Sequence, residues 1–204
     1  RTHRGRFAAV YGELQRRAPG SSWQDFTAAA LRTARGREAL AAWRASRSVL
    51  AYPRAKRAAL RDLLAQHRED RILVFTADNA TAYAIARELL VVPITADIKR
   101  AEREQMLERF RAGEAPVLVS SQVLDEGLDV PEAEVAIIVG GSGSERRHIQ
   151  RIGRVLRPRP GKRARIYELA IEASAEVDQV LRRGCGSEVE QACSGLRSLV
   201  SLGA

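Results

Sequence analysis

The chain contains 204 residues, of which 45% are hydrophobic and 29% are charged, so it can form one domain, or one domain with an appended subdomain, around a buried core. No apolar run approaches the ~18 residues that a membrane-spanning helix needs, and no His or Cys pair has the spacing of metal ligands. These features argue against a membrane-spanning helix and against a structural zinc site in this chain. Because the chain begins at Arg1 rather than Met, we expect it to be part of a longer protein.

The positive charge is concentrated at the start of the chain. The net charge is +9, and residues 1–70 hold all of the excess, with 15 Lys/Arg against 6 Asp/Glu. This asymmetry favours a polyanion such as nucleic acid as a partner, although a solvated basic face explains it equally well.

Residues 1–50 are rich in Ala and Arg and show helical periodicity, with a break at residues 19–22. Ser22 and Asp25 have the spacing of a capping box, which predicts that a second helix begins there. Another helix is predicted over residues 54–67, where leucines recur at helical spacing.

From residue 71 onward, short apolar runs alternate with helical patterns. Continuous apolar strands that alternate with helices predict an α/β fold, with a parallel sheet covered by helices on both faces. Ligands bind such sheets beyond the carboxyl ends of the strands. The predicted strands cover residues 72–75, 91–94, 117–119, 135–139 and 166–169, and the predicted helices cover residues 81–90, 100–111 and 145–154.

Residues 173–204 are predicted to form a helical tail. A first helix is expected over residues 173–183, before a glycine-containing break. Ser187 and Glu190 then have the spacing of a capping box, and apolar residues recur at helical spacing as far as Val200. We therefore expect a final amphipathic helix.

Residues 150–158 place basic side chains on one face of a predicted helix. At about 100° per residue, Gln150, Arg154 and Arg157 share a face, and the opposite face is aliphatic. Guanidinium groups held on a packed helix suit phosphate, because they are planar, always charged and donate two parallel hydrogen bonds. From these residues alone, an amphipathic helix with a solvated Arg face is the simpler explanation.

A second polar segment begins where the predicted strand at residues 117–119 ends. Ser120 and Ser121 follow the strand, and a turn with Gly127 leads to Asp129. Hydroxyls and backbone amides at a strand end can hold a phosphate, and Asp129 could accept hydrogen bonds from a ribose. The alternative is a loop with a solvated Asp and capping serines.

Together these segments resemble motifs V and VI of superfamily 2 helicases, in the right order, and ILVFT at residues 72–76 resembles motif IV. The runs LDEGLDVPEA at 124–133, GSGS at 141–144 and QRIGRVLRP at 150–158 are similar to XPB-type DNA repair helicases of archaea and bacteria.

The resemblance implies that the chain is a helicase C-terminal domain, the second RecA-like domain of such a motor, with the P-loop NTPase fold. Three parts are then expected. They are a basic, thumb-like helical segment at residues 1–50, the RecA-like domain at 51–172 and a C-terminal helical tail at 173–204.

The resemblance also implies how the chain meets ATP, which this family holds between two RecA-like domains. The expected catalytic residues are the arginine fingers Arg154 and Arg157, together with Gln150, which senses the nucleotide. The chain has no G-x-x-x-x-G-K-[ST] and no acidic box, so ATP and Mg²⁺ would be held mainly by the absent first domain, and the chain alone is expected to be inactive. The full expected ATP-binding set is Gly127, Asp129, Gln150, Arg151, Arg154 and Arg157.

For nucleic acid, the resemblance implies sequence-independent contacts to the DNA backbone. The residues at the matching positions are Thr76, Ser120, Ser121 and Gln122. Relatives often place Ser or Thr at the position of Ile98 to cap the next helix, and we expect Asp97 to substitute.

The partners expected from the resemblance are DNA, the first RecA-like domain and a protein such as a nuclease, with no membrane. The expected setting is the prokaryotic cytoplasm, on the nucleoid, in nucleotide excision repair. Three alternatives stay open: another superfamily 2 DNA translocase, a non-catalytic module that binds DNA or protein, and a RecA-like fold with an unrelated ligand.

Overall fold

The computed structural model describes residues 2–121, 132–140, 165–172, 174, 176–177, 188–190 and 196–202. The chain divides into two compact units, Arg1–Leu50 and Ala51–Ala204. In the described ranges, no helix is long and apolar enough to cross a membrane. The same ranges contain no group of three or more His, Cys, Asp or Glu side chains that could hold a metal ion.

The first unit is helical, with α1 at Thr2–Arg17, α2 at Trp23–Leu31 and α3 at Ala34–Ala51. The predicted break and capping box are both confirmed. Ser22 Oγ accepts a hydrogen bond from the Asp25 backbone N–H at 3.2 Å, and the Asp25 carboxylate accepts one from the Ser22 backbone N–H at 2.9 Å. Hydrogen bonds from the Ser22 hydroxyl and backbone hold the pKa of Asp25 below its ordinary value.

Aromatic rings build much of the core of the first unit. Phe26, Ala30 and Leu40 are among its buried apolar residues. The Phe26 ring meets the Tyr11 ring edge-on at a centroid distance of 5.0 Å, and the rings of Trp23 and Trp43 lie 4.8 Å apart. Such pairs add to the stability that apolar burial provides, which suits a unit with few large aliphatic side chains.

The second unit is an α/β fold, as predicted, in which β2, β3, β1, β4 and β5 form a parallel sheet in that order, followed by β7 and β6. The five parallel strands and three helices were all predicted in position, to within two residues at most ends. The strands are β1 Ile72–Phe75, β2 Val92–Ile94, β3 Val117–Ser120, β4 Val135–Ile138, β5 Arg165–Ile171, β6 Glu188–Glu190 and β7 Leu196–Leu202, and the helices are α4 Arg54–Gln66, α5 Asn79–Leu89 and α6 Arg100–Ala112.

Alternate residues of β1 enter two different cores, because successive side chains of a strand point to opposite faces of the sheet. Ile72 and Val74 pack with apolar residues of α4 and α5. Leu73 and Phe75 pack with Leu107 and Phe110 of α6. The sheet is therefore covered on both faces, which explains why its strands read as continuous apolar runs.

The prediction of a final amphipathic helix in the tail is wrong. Residues 188–190 and 196–202 form β6 and β7, which pair antiparallel with each other, and β7 pairs antiparallel with β5 from Ile171↔Leu196 to Arg165↔Leu202. Without β7, the outer edge of β5 would present a row of unpaired backbone groups, and pairing satisfies them. The predicted helix at 173–183 lies mostly outside the described residues, although Glu176 and Val177 are helical.

A buried lysine connects α4 to the ends of two strands. Lys56 is 0% exposed, and its Nζ donates to the backbone oxygen of Val139 at 2.7 Å and to Glu176 Oε1 at 2.8 Å. Glu176 Oε2 in turn accepts a hydrogen bond from the Ile171 backbone N–H at 3.1 Å. The ion pair therefore ties the start of α4 to the residues that follow β4 and β5.

Removal of this lysine should strongly destabilise the second unit. We expect Lys56→Met to lower the free energy of unfolding by about 3–5 kcal/mol, because it leaves Glu176 without its cation in a partly buried place. Lys99→Met is the matched control, since Lys99 is exposed, and should change it by less than about 0.5 kcal/mol. Urea unfolding followed by circular dichroism measures both, and equal stability of the two variants would contradict the assignment.

A close backbone approach in the first unit allows a second stability prediction. A Cβ on Gly36 of α3 would lie 2.6 Å from the Ala30 Cα, whereas a Cβ on Gly5 of α1 would meet nothing within 4 Å. We expect Gly36→Ala to destabilise by about 1–3 kcal/mol through overpacking. Gly5→Ala should stabilise by about 0.5–1 kcal/mol, because alanine is the better helix former. Tryptophan fluorescence during urea unfolding reports on this unit, which contains both tryptophans, and the prediction fails if the two variants shift in the same direction.

Candidate nucleic-acid interface

Polar side chains gather where three neighbouring strands end. Thr76 follows β1 and Thr95 follows β2. Ser120 is the last residue of β3, and Ser121 comes directly after it. All four side chains are buried. Because β2, β3 and β1 are parallel neighbours, their carboxyl ends lie along one edge of the sheet, which is where such folds bind ligands. The structure thus brings together Thr76, Ser120 and Ser121, three of the four residues that we predicted to bind nucleic acid.

The three hydroxyl protons are directed to acceptors within the protein. Thr76 Oγ1 donates to the backbone oxygen of Asp78 at 2.9 Å. Ser120 Oγ donates to the backbone oxygen of Ser121 at 2.8 Å, and Ser121 Oγ donates to Asn79 Oδ1 at 2.5 Å. A hydroxyl has one proton and two lone pairs. Each of these groups can therefore still accept a hydrogen bond, but it must give up an internal one to donate to a phosphate oxygen.

Helix α5 begins at the same edge of the sheet. Asp78 is its N-cap, and the Asp78 carboxylate accepts a hydrogen bond from the Thr81 backbone N–H at 2.7 Å. This bond satisfies one of the backbone donors that the first turn of a helix leaves without intrahelical partners. The positive end of the helix dipole thus lies beside the buried hydroxyls, and it favours negative charge there.

Asn79 is a residue of this edge that our sequence prediction missed. It is the first residue of α5, and its Nδ2 donates to Asp97 Oδ2 at 2.8 Å while its Oδ1 accepts from Ser121. It therefore connects the segments that follow β1, β2 and β3. Its position could have indicated this role, because Asn79 lies four residues after a predicted strand and directly follows Asp78, a residue type that often caps helices.

The prediction that Asp97 caps the following helix is wrong. Helix α6 begins at Arg100 with Lys99 as its N-cap, and no side chain makes the capping hydrogen bond. Asp97 lies two residues before the cap position, too early to reach the first free N–H groups of the helix. The Asp97 carboxylate binds Asn79 instead.

A second contact across this edge joins α5 to the end of β2. The hydroxyls of Tyr83 and Thr95 are 2.8 Å apart, with Tyr83 37% exposed and Thr95 fully buried. These residues also escaped prediction, because neither belongs to a segment with recognisable motif spacing.

The ATP-facing residues that we predicted lie outside the described residues, as do Gln122 and the predicted helix at 145–154. Their roles stay predictions. This group comprises Gly127, Asp129, Gln150, Arg151, Arg154 and Arg157.

Residues 55–159, just over half of the chain, match the helicase conserved C-terminal domain family. The chain is 40% identical over 147 residues to the DNA 3'-5' translocase XPB2 of Sulfurisphaera tokodaii, a match that covers 72% of this chain and 33% of that protein. It is 34% identical over 130 residues to the DNA 3'-5' helicase XPB of Mycobacterium tuberculosis, which covers 63% of this chain and 24% of that protein. The chain thus spans a third or less of the length of these curated relatives.

The fold also resembles a solved structure, that of the C-terminal part of the Fun30 ATPase domain. The TM-score is 0.55 at 18% sequence identity, and the match covers 62% of this chain and 44% of that one. This likeness supports the RecA-like α/β fold. With the family match over residues 55–159, it leads to one conclusion: the chain belongs to the helicase conserved C-terminal domain family.

Proposed function

We propose that this chain is the second motor domain of an ATP-dependent DNA helicase or translocase of the XPB type. Its carboxyl edge contacts the DNA backbone, and its motif VI arginines act on ATP held by a first RecA-like domain. The observation that carries the proposal is the gathering of Thr76, Ser120 and Ser121 at the carboxyl edge of the sheet, in a chain of this family. The similarity to XPB-named relatives favours DNA as the nucleic acid.

In this proposal the DNA contacts are individually weak. Thr76 and Ser121 each exchange an internal hydrogen bond for one to a phosphate oxygen, so the number of hydrogen bonds is nearly unchanged. Contacts to phosphate position a strand without reading its sequence. A motor that moves along DNA requires contacts that form and break at every nucleotide, and a near-neutral exchange meets that requirement.

The proposed ATP chemistry depends on Arg154 and Arg157. Their guanidinium groups neutralise the negative charge that develops as the γ-phosphate is cleaved, and such fingers contribute about 10³–10⁵ in rate in well-studied nucleotide hydrolases. Gln150 senses the nucleotide and Arg151 supports the interface. We assign Gly127 and Asp129 a role at the ribose and phosphates. Mg²⁺ is held by the first domain, which also carries the phosphate-binding lysine.

The basic first unit serves in this proposal as a thumb-like element that grips DNA. Residues 1–50 hold 10 Lys/Arg and 3 Asp/Glu, and Arg44 and Arg47 are exposed on α3. The proposed setting is the prokaryotic cytoplasm, on nucleoid DNA, in nucleotide excision repair. In the described ranges, nothing supports the expected nuclease partner.

The chain should bind DNA weakly and with a strong dependence on salt. The logarithm of the binding constant should fall linearly with the logarithm of the salt concentration, because phosphate contacts release counterions. Arg44→Ala combined with Arg47→Ala should reduce the slope by about one to two units. The matched control pairs Arg68→Ala with Arg165→Ala, at exposed positions by the amino edge of the sheet, and should leave the slope unchanged. Fluorescence anisotropy with a duplex oligonucleotide measures the slope, and binding that does not respond to salt would refute the basic thumb.

ATP hydrolysis tests the arginine fingers. The chain alone should show no ATP turnover. In the full-length protein, Arg157→Ala should lower turnover by about 10³-fold or more while ATP binding stays mostly intact. Arg159→Ala removes an equal charge two residues away and is the matched control, with turnover expected near that of the unaltered protein. Normal turnover in the Arg157 variant would remove the finger assignment and leave a DNA- or protein-binding module as the better explanation.

A further inference from the structure

A chain of two hydrogen bonds runs along the carboxyl edge from Asp97 through Asn79 to Ser121, and chemistry fixes its direction. An ionised carboxylate only accepts hydrogen bonds, so the Asn79 nitrogen must face Asp97, as it does at 2.8 Å. The Asn79 oxygen is therefore turned toward Ser121, and Ser121 must be the donor in the 2.5 Å bond between them. Asp97 thus determines, through Asn79, where the Ser121 proton points.

These bonds join segments that follow three different strands. Asn79 lies after β1, Asp97 after β2 and Ser121 directly after β3. Backbone bonds already join the strand ends, from Thr76 N–H to the Ser120 oxygen at 2.9 Å and from Ser121 N–H to the Ile94 oxygen at 3.3 Å. The side-chain hydrogen bonds also connect the segments beyond the strand ends, which carry the hydroxyls that we propose to bind DNA.

We propose that Asn79 is a positioning residue for nucleic-acid binding at this edge. Bonded to Asp97 and, until a phosphate oxygen replaces it, to Ser121, its amide keeps the three segments in register before a DNA strand binds. This inference rests on the proposed function, because it assigns a role to Asn79 at the same site. It does not make Asn79 a ligand of the strand.

A pre-arranged edge binds more tightly than one that must be ordered on binding. If Asn79 is lost, the three segments lose the side-chain bonds that keep them in register before DNA binds. We expect affinity for single-stranded DNA to fall about five- to tenfold, the worth of one side-chain hydrogen bond.

Three proteins of equal net charge test the proposal: the unaltered chain, Asn79→Leu, and the exchange variant Asn79→Asp with Asp97→Asn. Asn79→Leu keeps the approximate size of the side chain but removes both hydrogen bonds. The exchange variant swaps the amide and the carboxylate, so that position 97 donates to position 79 and Ser121 still donates to position 79. Anisotropy titrations of a fluorescent single-stranded oligothymidylate should show the loss for Asn79→Leu and affinity within about twofold of the unaltered chain for the exchange variant.

Other outcomes overturn the proposal. If both variants bind weakly, the Asn79 amide itself touches the strand, because the exchange variant places a carboxylate where phosphate would approach. If both variants bind like the unaltered chain, Asn79 has no role in binding. Failure of the unaltered chain itself to bind would instead count against the proposed function, which keeps the two failures apart.

Controls separate positioning from a general loss of stability. Tyr167→Phe removes a 2.8 Å bond of the same length between β5 and His67 at the end of α4, leaves the bonds of Asn79 intact, and should not change the affinity. Thermal unfolding of every variant defines a temperature at which all are folded, and binding is compared there. If Tyr167→Phe weakens binding as much as Asn79→Leu does, the effect comes from a general loss of stability and the specific role of Asn79 is overturned.

Discussion

Strand β1 is hydrogen-bonded on both sides, to β3 in the register Ile72↔Val117 and to β4 in the register Ile72↔Val135. Since both pairings are parallel and in step, the last residues of the central strands reach the same edge together. The two apolar cores fix this register, because a slip of one residue would turn every side chain of β1 to the wrong face. The position of the polar edge is therefore a consequence of core packing.

The polar edge itself is ordered by hydrogen bonds that buried hydroxyls make within the protein. A buried hydroxyl without a hydrogen-bond partner would destabilise the fold, and the hydroxyls of Thr76, Ser120 and Ser121 each donate to an acceptor within the protein. A ligand that binds these hydroxyls must therefore replace their internal hydrogen bonds with hydrogen bonds of at least equal strength. Under the proposed function, the same hydroxyl groups therefore determine both the stability of the edge and its affinity for DNA.

Local pattern predicted the elements between residues 54 and 139 well, because continuous apolar runs and helical stripes there agree with the tertiary structure. The prediction failed in the tail, where the apolar residues have helical spacing but the chain forms β7, which pairs with the outer edge of β5. Lys56 also escaped notice, although with Ala59, Leu60 and Leu63 it occupies the buried stripe of α4. Its hydrogen-bond partners lie more than eighty residues away in the sequence, so no local sequence pattern could predict them. The bond of Asn79 to Asp97 was hidden for the same reason, since it joins segments that only the folded sheet brings together.

The extension of the sheet by β7 and β6 bears on where the folding unit ends. The family match stops at residue 159, yet β5 begins at Arg165 and β7 continues to Leu202. A protein that ends at residue 159 would lack β5, the strand that pairs with β4. A protein that ends after β5 would expose the unpaired edge of that strand, and such edges promote self-association. The family match and the sheet thus cover different lengths of chain, and expression of this domain should include the residues through Leu202 that the family match leaves out.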